Sequence, residues 1–463
     1  MKNRFSAEKT AKALRKAWVR ADDFSLFDVM LFAAVALFCF VSFIHPDIMY
    51  TGNRSWIMYD GITGFYDHVH EWTRDYGANY MATTFWLFAL WNLPLKIFGF
   101  PPPAGVASTD YILWYKILPL LFFFLSIRMF RSVAEEIGLG KRKAKVAVYA
   151  FITLPVCFYS QFIFCQYDIV TVFFVLWGMK CYYRRGKGDL WRFALLFGIA
   201  VSCKYYAVLI FLVMLLVREK NPARIIRYAL LCGLPVLAEI LLYLPSRGFQ
   251  ISVLNFKAVD YIKNADTTAL SNYSYAMVLI VLVGIWAYFT HADNPDNETA
   301  WTLFFSCGCC AGLFGLSTWH PQWLIFMAPF MVLSAFINIH LEKFLFIDLF
   351  FGVLFQYISI INFAGGADVN LLDRLLWSRF FTSSGKLAIA NVLPQVTLST
   401  PYSIYLAMLL GMFIFKHPRY ALKDFSQPLQ TDHMHMIRLT FLAGAGSFII
   451  PAFITAFINN GFI

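Results

Sequence analysis

Long apolar stretches alternate with short polar breaks along the chain after residue 25. A helix of about 17–25 mainly apolar residues crosses a hydrocarbon core of about 30 Å. Eleven stretches reach or approach that length, and they predict spans near 26–45, 109–128, 144–163, 166–182, 224–244, 273–290, 300–317, 322–339, 343–362, 401–415 and 438–457. The pattern therefore predicts an all-α polytopic membrane protein.

The apolar run 191–217 differs from these spans because basic residues flank both of its ends. Arg192 lies near its start, and Arg218 and Lys220 follow it. Cytoplasmic loops carry an excess of Lys and Arg, so we expect both ends on the same side. About 27 residues are too few for two full spans. We therefore predict two short helices that meet at residues 202–205, at membrane depth.

The distribution of basic residues predicts a cytoplasmic N-terminus. In that orientation the short inner segments contain Lys2, Arg4, Lys9, Lys12, Arg15, Lys16, Arg20, Arg128, Arg131, Lys141, Arg142, Lys143, Lys145, Arg184, Arg185, Lys187, Arg218, Lys220, Arg224, Arg227, Lys343, Lys416, Arg419 and Lys423. The acidic connection 291–299 does not overturn this orientation, because acidic residues contribute little to it. Three longer polar segments, 46–108, 245–272 and 363–400, are then expected outside.

This topology divides the chain into three parts. Residues 1–25 are expected to form a basic interfacial helix on the inner surface, 26–340 a main transmembrane module, and 341–463 the C-terminal spans. The aromatic run TTFWLFALWNLPLKIFGF in the first outer loop is expected to lie along the interface. No cleavable signal peptide is expected, because the first 22 residues are polar and basic.

Composition excludes several functional classes. The chain is 60% hydrophobic and only 14% charged, which is typical of a membrane protein. Its net charge of +11 lies mainly in the short inner loops, so it indicates orientation and not nucleic-acid binding. The nine cysteines lie in or beside apolar segments, without a paired Cys-x-x-Cys pattern. We therefore predict no metal site and no cofactor.

The first outer loop contains a dense group of acids and aromatic residues, SWIMYDGITGFYDHVHEWTRDYG. A carboxylate here is a candidate general base, with Asp67 as first choice and Asp60 as the reserve. His70, Glu71 and Trp72 are candidates for the acceptor side. The alternative is a solvated acidic loop without catalytic function.

Two outer turns and the tip of the short helix pair add further polar residues. Tyr167 and Asp168 lie in the turn FCQYDIV, where Asp168 capping a helix is the alternative interpretation. Lys204 lies at the tip of the pair and requires an anion or a carboxylate nearby, unless it extends to the interface. His320 and Gln322 lie in STWHPQW. Together they predict an outward-facing pocket for a lipid-linked phosphate, with the lipid chain in the bilayer.

The chain resembles the GT-C glycosyltransferases, which use polyprenyl-phosphate sugars. The similarity lies in YDHVHEW, CQYDIVTVFF, SCKYYAVLIFL and WHPQWLIFMAPF, in this order over residues 26–340. The nearest likeness is to the dolichyl-phosphate-glucose glucosyltransferases and bacterial relatives. The paired-acid pattern of some members is missing, because no second acid directly follows Asp67.

The resemblance implies an inverting hexosyltransferase with a GT-C fold. An aspartate of the first outer loop would deprotonate the acceptor hydroxyl, while Lys204 and His320 would steady the leaving phosphate. The expected partners are membrane lipids, a polyprenyl-phosphate sugar and a glycan or glycolipid acceptor. The compact loops favour a bacterial plasma membrane. Two alternatives remain: a flippase or polymerase for lipid-linked saccharides, and an enzyme that transfers another lipid-phosphate group. The absence of inverted repeats weakens the transporter interpretation.

Overall fold

A computed structural model describes residues 25–73, 78–255, 274–362, 372, 376–381, 387–429 and 433–462. These residues are mainly helical, and the β structure among them is an isolated antiparallel bridge between Asn338 and Ala421. The predicted interfacial helix in residues 1–25 lies outside the described residues, apart from Ser25. Parts of the predicted outer loops 245–272 and 363–400 also lie outside them.

The described chain forms seventeen α-helices of four or more residues. They are α1 Leu26–Ser42, α2 Pro46–Ser55, α3 Phe65–Thr73, α4 Ala82–Ile97, α5 Ile112–Glu136, α6 Lys141–Thr153, α7 Pro155–Phe158, α8 Asp168–Arg184, α9 Asp189–Cys203, α10 Ala207–Arg218, α11 Pro222–Tyr243, α12 Tyr275–Phe289, α13 Pro295–Gly315, α14 Ala328–Phe336, α15 Leu341–Asn362, α16 Ser399–Phe415 and α17 His433–Asn459. Short 3₁₀ or π segments are Trp56–Tyr59, Tyr159–Phe164, Gln250–Leu254, Pro321–Met327, Ile389–Val392 and Pro418–Tyr420.

Every segment that the hydrophobic pattern predicts as a span contains a helix. Within the described residues, α5, α11, α15 and α17 are each long and apolar enough to cross a membrane. Two bent pairs, α1 with 46–59 and α6 with 155–164, raise the number of candidate spans to six if each pair counts as one. The fold is therefore all-α and consistent with a multi-pass membrane protein.

The predicted pair of short helices is present as α9 and α10. They are separated by Lys204, Tyr205 and Tyr206, close to the predicted break at 202–205. The Lys204 backbone is extended, with φ −149° and ψ 113°, so α9 ends there. The side chain of Lys204 thus lies at the connection between two helices.

One end of the helical bundle, here called the basic end, is joined by arginines that pair with two buried carboxylates, Asp28 and Glu298. Arg438 in α17 donates from Nε to Asp28 Oδ1 in α1 at 2.6 Å and from a terminal nitrogen to Oδ2 at 3.0 Å. Glu298 in α13 pairs with Arg185 at 3.0 Å and accepts from Arg218 Nε at 2.8 Å. Glu298 of the acidic connection 291–299 therefore lies beside the basic residues Arg185 and Arg218.

The opposite end of α1 is fixed by a buried lysine. Lys116 of α5 donates from Nζ to the carbonyl oxygen of Phe43 at 2.8 Å and also to that of Phe40. The last carbonyls of a helix have no intrahelical donors. A buried ammonium satisfies them with hydrogen bonds and also interacts favourably with the negative end of the helix dipole. The chain then bends by 68° into residues 46–59.

We expect Arg438→Met to lower the free energy of unfolding by about 3–5 kcal/mol, because Asp28 would remain buried without its partner charge. Thermal unfolding in detergent measures this loss. The double variant Asp28→Leu/Arg438→Met should recover much of it, since neither charge remains. Equal loss in the single and double variants would contradict a specific ion-pair effect.

Candidate functional site

The bend after α1 places a carboxylate at the end of the bundle opposite the basic end. His45 precedes α2 as its N-cap, and its ring Nδ1 accepts a hydrogen bond from the backbone N–H of Asp47 at 3.2 Å. The same ring stacks on Phe164, with 3.6 Å between ring centroids. The start of α2 is therefore held against the π segment 159–164, and Asp47 remains partly open, with 35% of its side chain exposed.

The centre of the site is an ion pair between Lys204 and Asp168. Lys204 Nζ lies 3.3 Å from Asp168 Oδ1, and both side chains are almost fully buried. Tyr206 donates from its hydroxyl to the same oxygen at 3.3 Å. Asp168 lies in the first turn of α8, and its side chain makes no capping hydrogen bond. Its role is therefore to pair with Lys204, and not to cap the helix, which was the alternative interpretation of the sequence. The carboxylate that Lys204 requires is thus supplied by the chain.

Three aromatic rings surround the Lys204 ammonium. The distances from Nζ to the ring centroids are 4.2 Å for Tyr80, 4.8 Å for Tyr167 and 5.9 Å for Trp323. Ring faces carry partial negative charge and attract a cation, most strongly where water is excluded. Lys204 itself is only 4% exposed, so it does not extend to an interface.

The Tyr80 segment is held in place by a buried glutamate of the largely exposed helix α11. Glu239 accepts a hydrogen bond at 3.0 Å from the backbone N–H of Thr83, in the first turn of α4. The Thr83 hydroxyl contacts Glu239 as well and lies 3.0 Å from the Ser202 hydroxyl, at the end of α9. A carboxylate at a helix N-terminus is favourable, and here it joins three helices beside the Lys204 turn.

His320 lies near this centre, with part of its ring open to solvent. Surrounding protein lowers the pKa of His320 by removing hydration, and the Lys204 ammonium lowers that pKa further, while the Asp47 carboxylate opposes both. The ring is therefore mainly neutral at pH 7, and it offers one donor and one acceptor nitrogen. A neutral imidazole can bind a phosphate oxygen through a hydrogen bond, but it adds no fixed charge.

Several buried polar atoms close to the ion pair have no hydrogen-bond partner within the described residues. They are Asp168 Oδ2, Thr171 Oγ1, Gln161 Oε1 and Nε2, Gln322 Oε1 and Trp323 Nε1. The elements that carry them pack together, and the Ser160 hydroxyl oxygen lies 3.4 Å from the Pro321 carbonyl oxygen. Buried polar groups are nearly always satisfied, so this cluster is typical of a site that binds a polar ligand or water.

Backbone strain marks the same region. The chain leaves the π segment 159–164 through Cys165, a non-glycine residue with φ +55°. Left-handed backbone at a residue with a side chain costs free energy, and π segments occur frequently at functional sites. The strained turn leads directly into Gln166, Tyr167 and Asp168.

In comparisons with known proteins, no family model, curated protein or solved structure matches this chain.

The predicted bases Asp67 and Asp60 lie elsewhere in the segment 46–108. Asp67 Oδ1 accepts a hydrogen bond from the backbone N–H of Gly248 at 2.7 Å. A Cβ at Gly248 would lie 2.3 Å from the Tyr66 carbonyl oxygen, so only glycine permits this close approach. Among the described contacts, none joins Asp67 or Asp60 to Lys204. Asp67 therefore connects α3 to the turn after α11.

An open cavity of about 550 Å³ lies beside the C-terminal end of α2. Its lining residues are Asn53, Trp56, Ile57, Tyr59, Asp60, His68, Trp72, Lys96, Phe100, Pro102 and Pro103. Asp60 and Trp72 thus share a cavity rich in aromatic rings, whereas the predicted acceptor residues His70 and Glu71 lie on α3 without lining it. Lys96 Nζ lies 4.0 Å from the Tyr59 ring centroid.

The structure therefore brings together Tyr167, Asp168, Lys204, His320 and Gln322, all of which the sequence analysis selected. Within the described residues, no group of three or more His, Cys, Asp or Glu side chains is arranged to hold a metal ion.

Two charged residues of the site were missed. Asp47 acts electrostatically on His320 and Asp168, and Arg54 interacts with Asp47 and Tyr80. Asp47 and Arg54 are seven residues apart, which places them on one face of α2. That spacing, directly after the first predicted span, was the signal that could have identified them.

We expect Asp67→Ala to lower the free energy of unfolding by about 1.5–3 kcal/mol, because the buried Gly248 N–H loses a charged acceptor. Asp67→Asn should cost less, since its amide oxygen can still accept. Thermal unfolding of both variants in detergent tests this, and unchanged stability of Asp67→Ala would contradict the bracing role.

Proposed function

We propose that this chain is an inverting glycosyltransferase that moves a hexose from a polyprenyl-phosphate donor to a glycan or glycolipid acceptor. Two arguments support the proposal. The resemblance to GT-C enzymes suggests the chemistry, and the cluster around Lys204 provides groups suited to it. The observation that carries most weight is the buried Lys204 ammonium, which lies among orphaned polar atoms and whose partner Asp168 is acted on electrostatically by the Asp47 carboxylate.

The donor phosphate is proposed to bind beside Lys204. An ammonium has three N–H donors, and its ion pair with Asp168 occupies one direction. The charge of Lys204 is already balanced by Asp168, so Arg54 is proposed as a second cation and His320 as a neutral donor. Negative charge accumulates on the phosphate as the glycosidic bond breaks, and fixed donors stabilise that charge in the transition state.

Asp47 is proposed as the general base, in preference to Asp67 and Asp60. It would take the proton of the acceptor hydroxyl while the oxygen attacks the anomeric carbon opposite the phosphate. The bond from the anomeric carbon to the phosphate oxygen breaks, and the polyprenyl phosphate leaves with both electrons. Asp47 suits this role because it is partly exposed and acts electrostatically on His320, whereas Asp67 braces a turn.

The aromatic cavity is proposed to bind the acceptor. Trp56, Tyr59 and Trp72 offer apolar rings to sugar faces, and Asp60, His68 and Lys96 offer hydrogen bonds to hydroxyls. Asn53 of α2 lines this cavity, while Asp47 and Arg54 lie on a different face of the same helix. A sugar hydroxyl reaching past α2 would meet the proposed base.

The finer topology is part of the same proposal. The other apolar helices, namely α8, α12, α13, 321–336 and α16, would complete about eleven spans of a GT-C fold, with α9 and α10 as the additional pair of short helices. The site would face the outside and the basic end the cytoplasm of a bacterial plasma membrane.

We expect Asp47→Asn to reduce sugar transfer by about 10²–10⁴-fold, because the acceptor hydroxyl loses its proton acceptor. The measurement is transfer of radiolabelled sugar from a synthetic polyprenyl-phosphate donor by the purified protein in detergent. Asp67→Asn is the matched control and should retain most activity. The reverse result would return the base to Asp67, and no transfer by the unaltered protein with any hexosyl donor would contradict the proposed function.

We expect Lys204→Ala to reduce kcat/KM for the donor by about 10²–10³-fold, because a fixed charge beside the leaving phosphate is lost. Lys96→Ala, which removes a lysine from the aromatic cavity, should instead raise KM for the acceptor. Steady-state kinetics with each substrate varied in turn separates the two effects. A Lys204→Ala enzyme impaired only toward the acceptor would refute the phosphate role.

A further inference from the structure

A second polar cavity lies at the basic end, between the first turns of α15 and α17. Its volume is about 330 Å³. The charged and titratable residues that line it are Lys143, His340, Glu342, Lys343 and His433. It lies at the opposite end of the bundle from Lys204, and the glycosyltransferase proposal gives it no role.

Lys143 is the buried cation of this cavity. Its side chain is only 4% exposed. Within the described residues, its Nζ donates to the Phe425 carbonyl oxygen at 3.2 Å. An ammonium has three donors, so one such bond leaves capacity for an anionic ligand. A buried lysine is costly unless its charge is compensated. Asp424 acts electrostatically on Lys143 from outside the cavity lining, but within the described residues no ion pair joins the two, so the cavity wall beside Lys143 can accept a further anion.

The cavity continues into an apolar groove along the outer side of α15 and α17. The groove has a volume of about 480 Å³ and is lined by Leu345, Phe346, Ile347 and Met436, with Glu342, Lys343 and His433 common to both spaces. Both helices are candidate membrane spans. The polar cavity thus opens directly onto the apolar groove at the point where two candidate spans begin.

We propose that this continuous space binds one anionic phospholipid, with its phosphate at Lys143 and Lys343 and an acyl chain along Phe346 and Met436. Charge complementarity favours the phosphate, because two lysines and one glutamate line the cavity. The apolar groove favours a lipid over free phosphate, because an inorganic ion makes no use of it. Basic pockets between membrane helices commonly bind such head groups on the cytoplasmic side, where the basic end is expected.

Native mass spectrometry of the delipidated full-length protein, titrated with phosphatidylglycerol, tests the proposal. We expect one tightly retained phosphatidylglycerol, and weaker retention of phosphatidylcholine. Lys343→Gln should weaken this binding about fivefold, the effect of one lysine near an anionic surface. Lys343 is exposed, so this substitution leaves the fold intact. Lys143→Met should weaken binding at least as much.

Lys145→Gln is the matched control, because Lys145 is exposed on the same helix as Lys143 and does not line the cavity. It should bind phosphatidylglycerol like the unaltered protein. Equal retention of both lipids, or equal effects of the Lys343 and Lys145 substitutions, would overturn the proposal. Displacement of the lipid by millimolar inorganic phosphate would do so too, since it would identify a simple anion site. None of these outcomes depends on sugar transfer.

Discussion

The ion pair between Lys204 and Asp168 is the interaction on which the candidate site depends. Two opposite charges that are so deeply buried are stable only because each one compensates the other for its lost hydration. Removal of either charge leaves the other uncompensated. The pair also explains the local architecture. α9 must end where Lys204 turns inward, and α8 must begin at Asp168, so the two helix ends meet face to face. Tyr80, Tyr167 and Trp323 then close around the ammonium.

The elements around the pair are held by contacts of the same kind, in which a buried polar side chain satisfies the end of a helix. Lys116 is the donor at the C-terminus of α1, whereas His45 and Glu239 are the acceptors at the starts of α2 and α4. The contacts of Lys116 and Glu239 cross between helices that are distant in sequence, whereas His45 caps its own helix and joins it to the segment 159–164 by stacking on Phe164. Helices that pack by apolar contacts alone can slide or rotate with little penalty, whereas these polar contacts specify one arrangement. The contacts of Lys116 and His45 fix the position of the proposed base Asp47.

Charge is separated between the two ends of the molecule. The basic end contains compensated pairs such as Arg438 with Asp28, together with the cavity at Lys143, and it is suited to a fixed contact with the membrane surface. The opposite end contains a buried pair, a partly exposed carboxylate and unsatisfied polar atoms, which suits it to a ligand that enters and leaves. This asymmetry supports the proposed transferase over a transporter, which needs access from both sides.

The sequence alone determined the helices and the break at Lys204, because apolar length and basic flanks are local properties. It also selected Tyr167, Asp168, Lys204, His320 and Gln322, since polar residues at membrane depth are rare. Only the tertiary structure showed that Asp168 is the partner of Lys204 and that Asp47 acts electrostatically on that carboxylate, whereas Asp67 holds a turn through Gly248. Carboxylates of one loop are alike in sequence. What distinguishes them is which distant backbone or side chain each one meets, and that depends on how the helices pack.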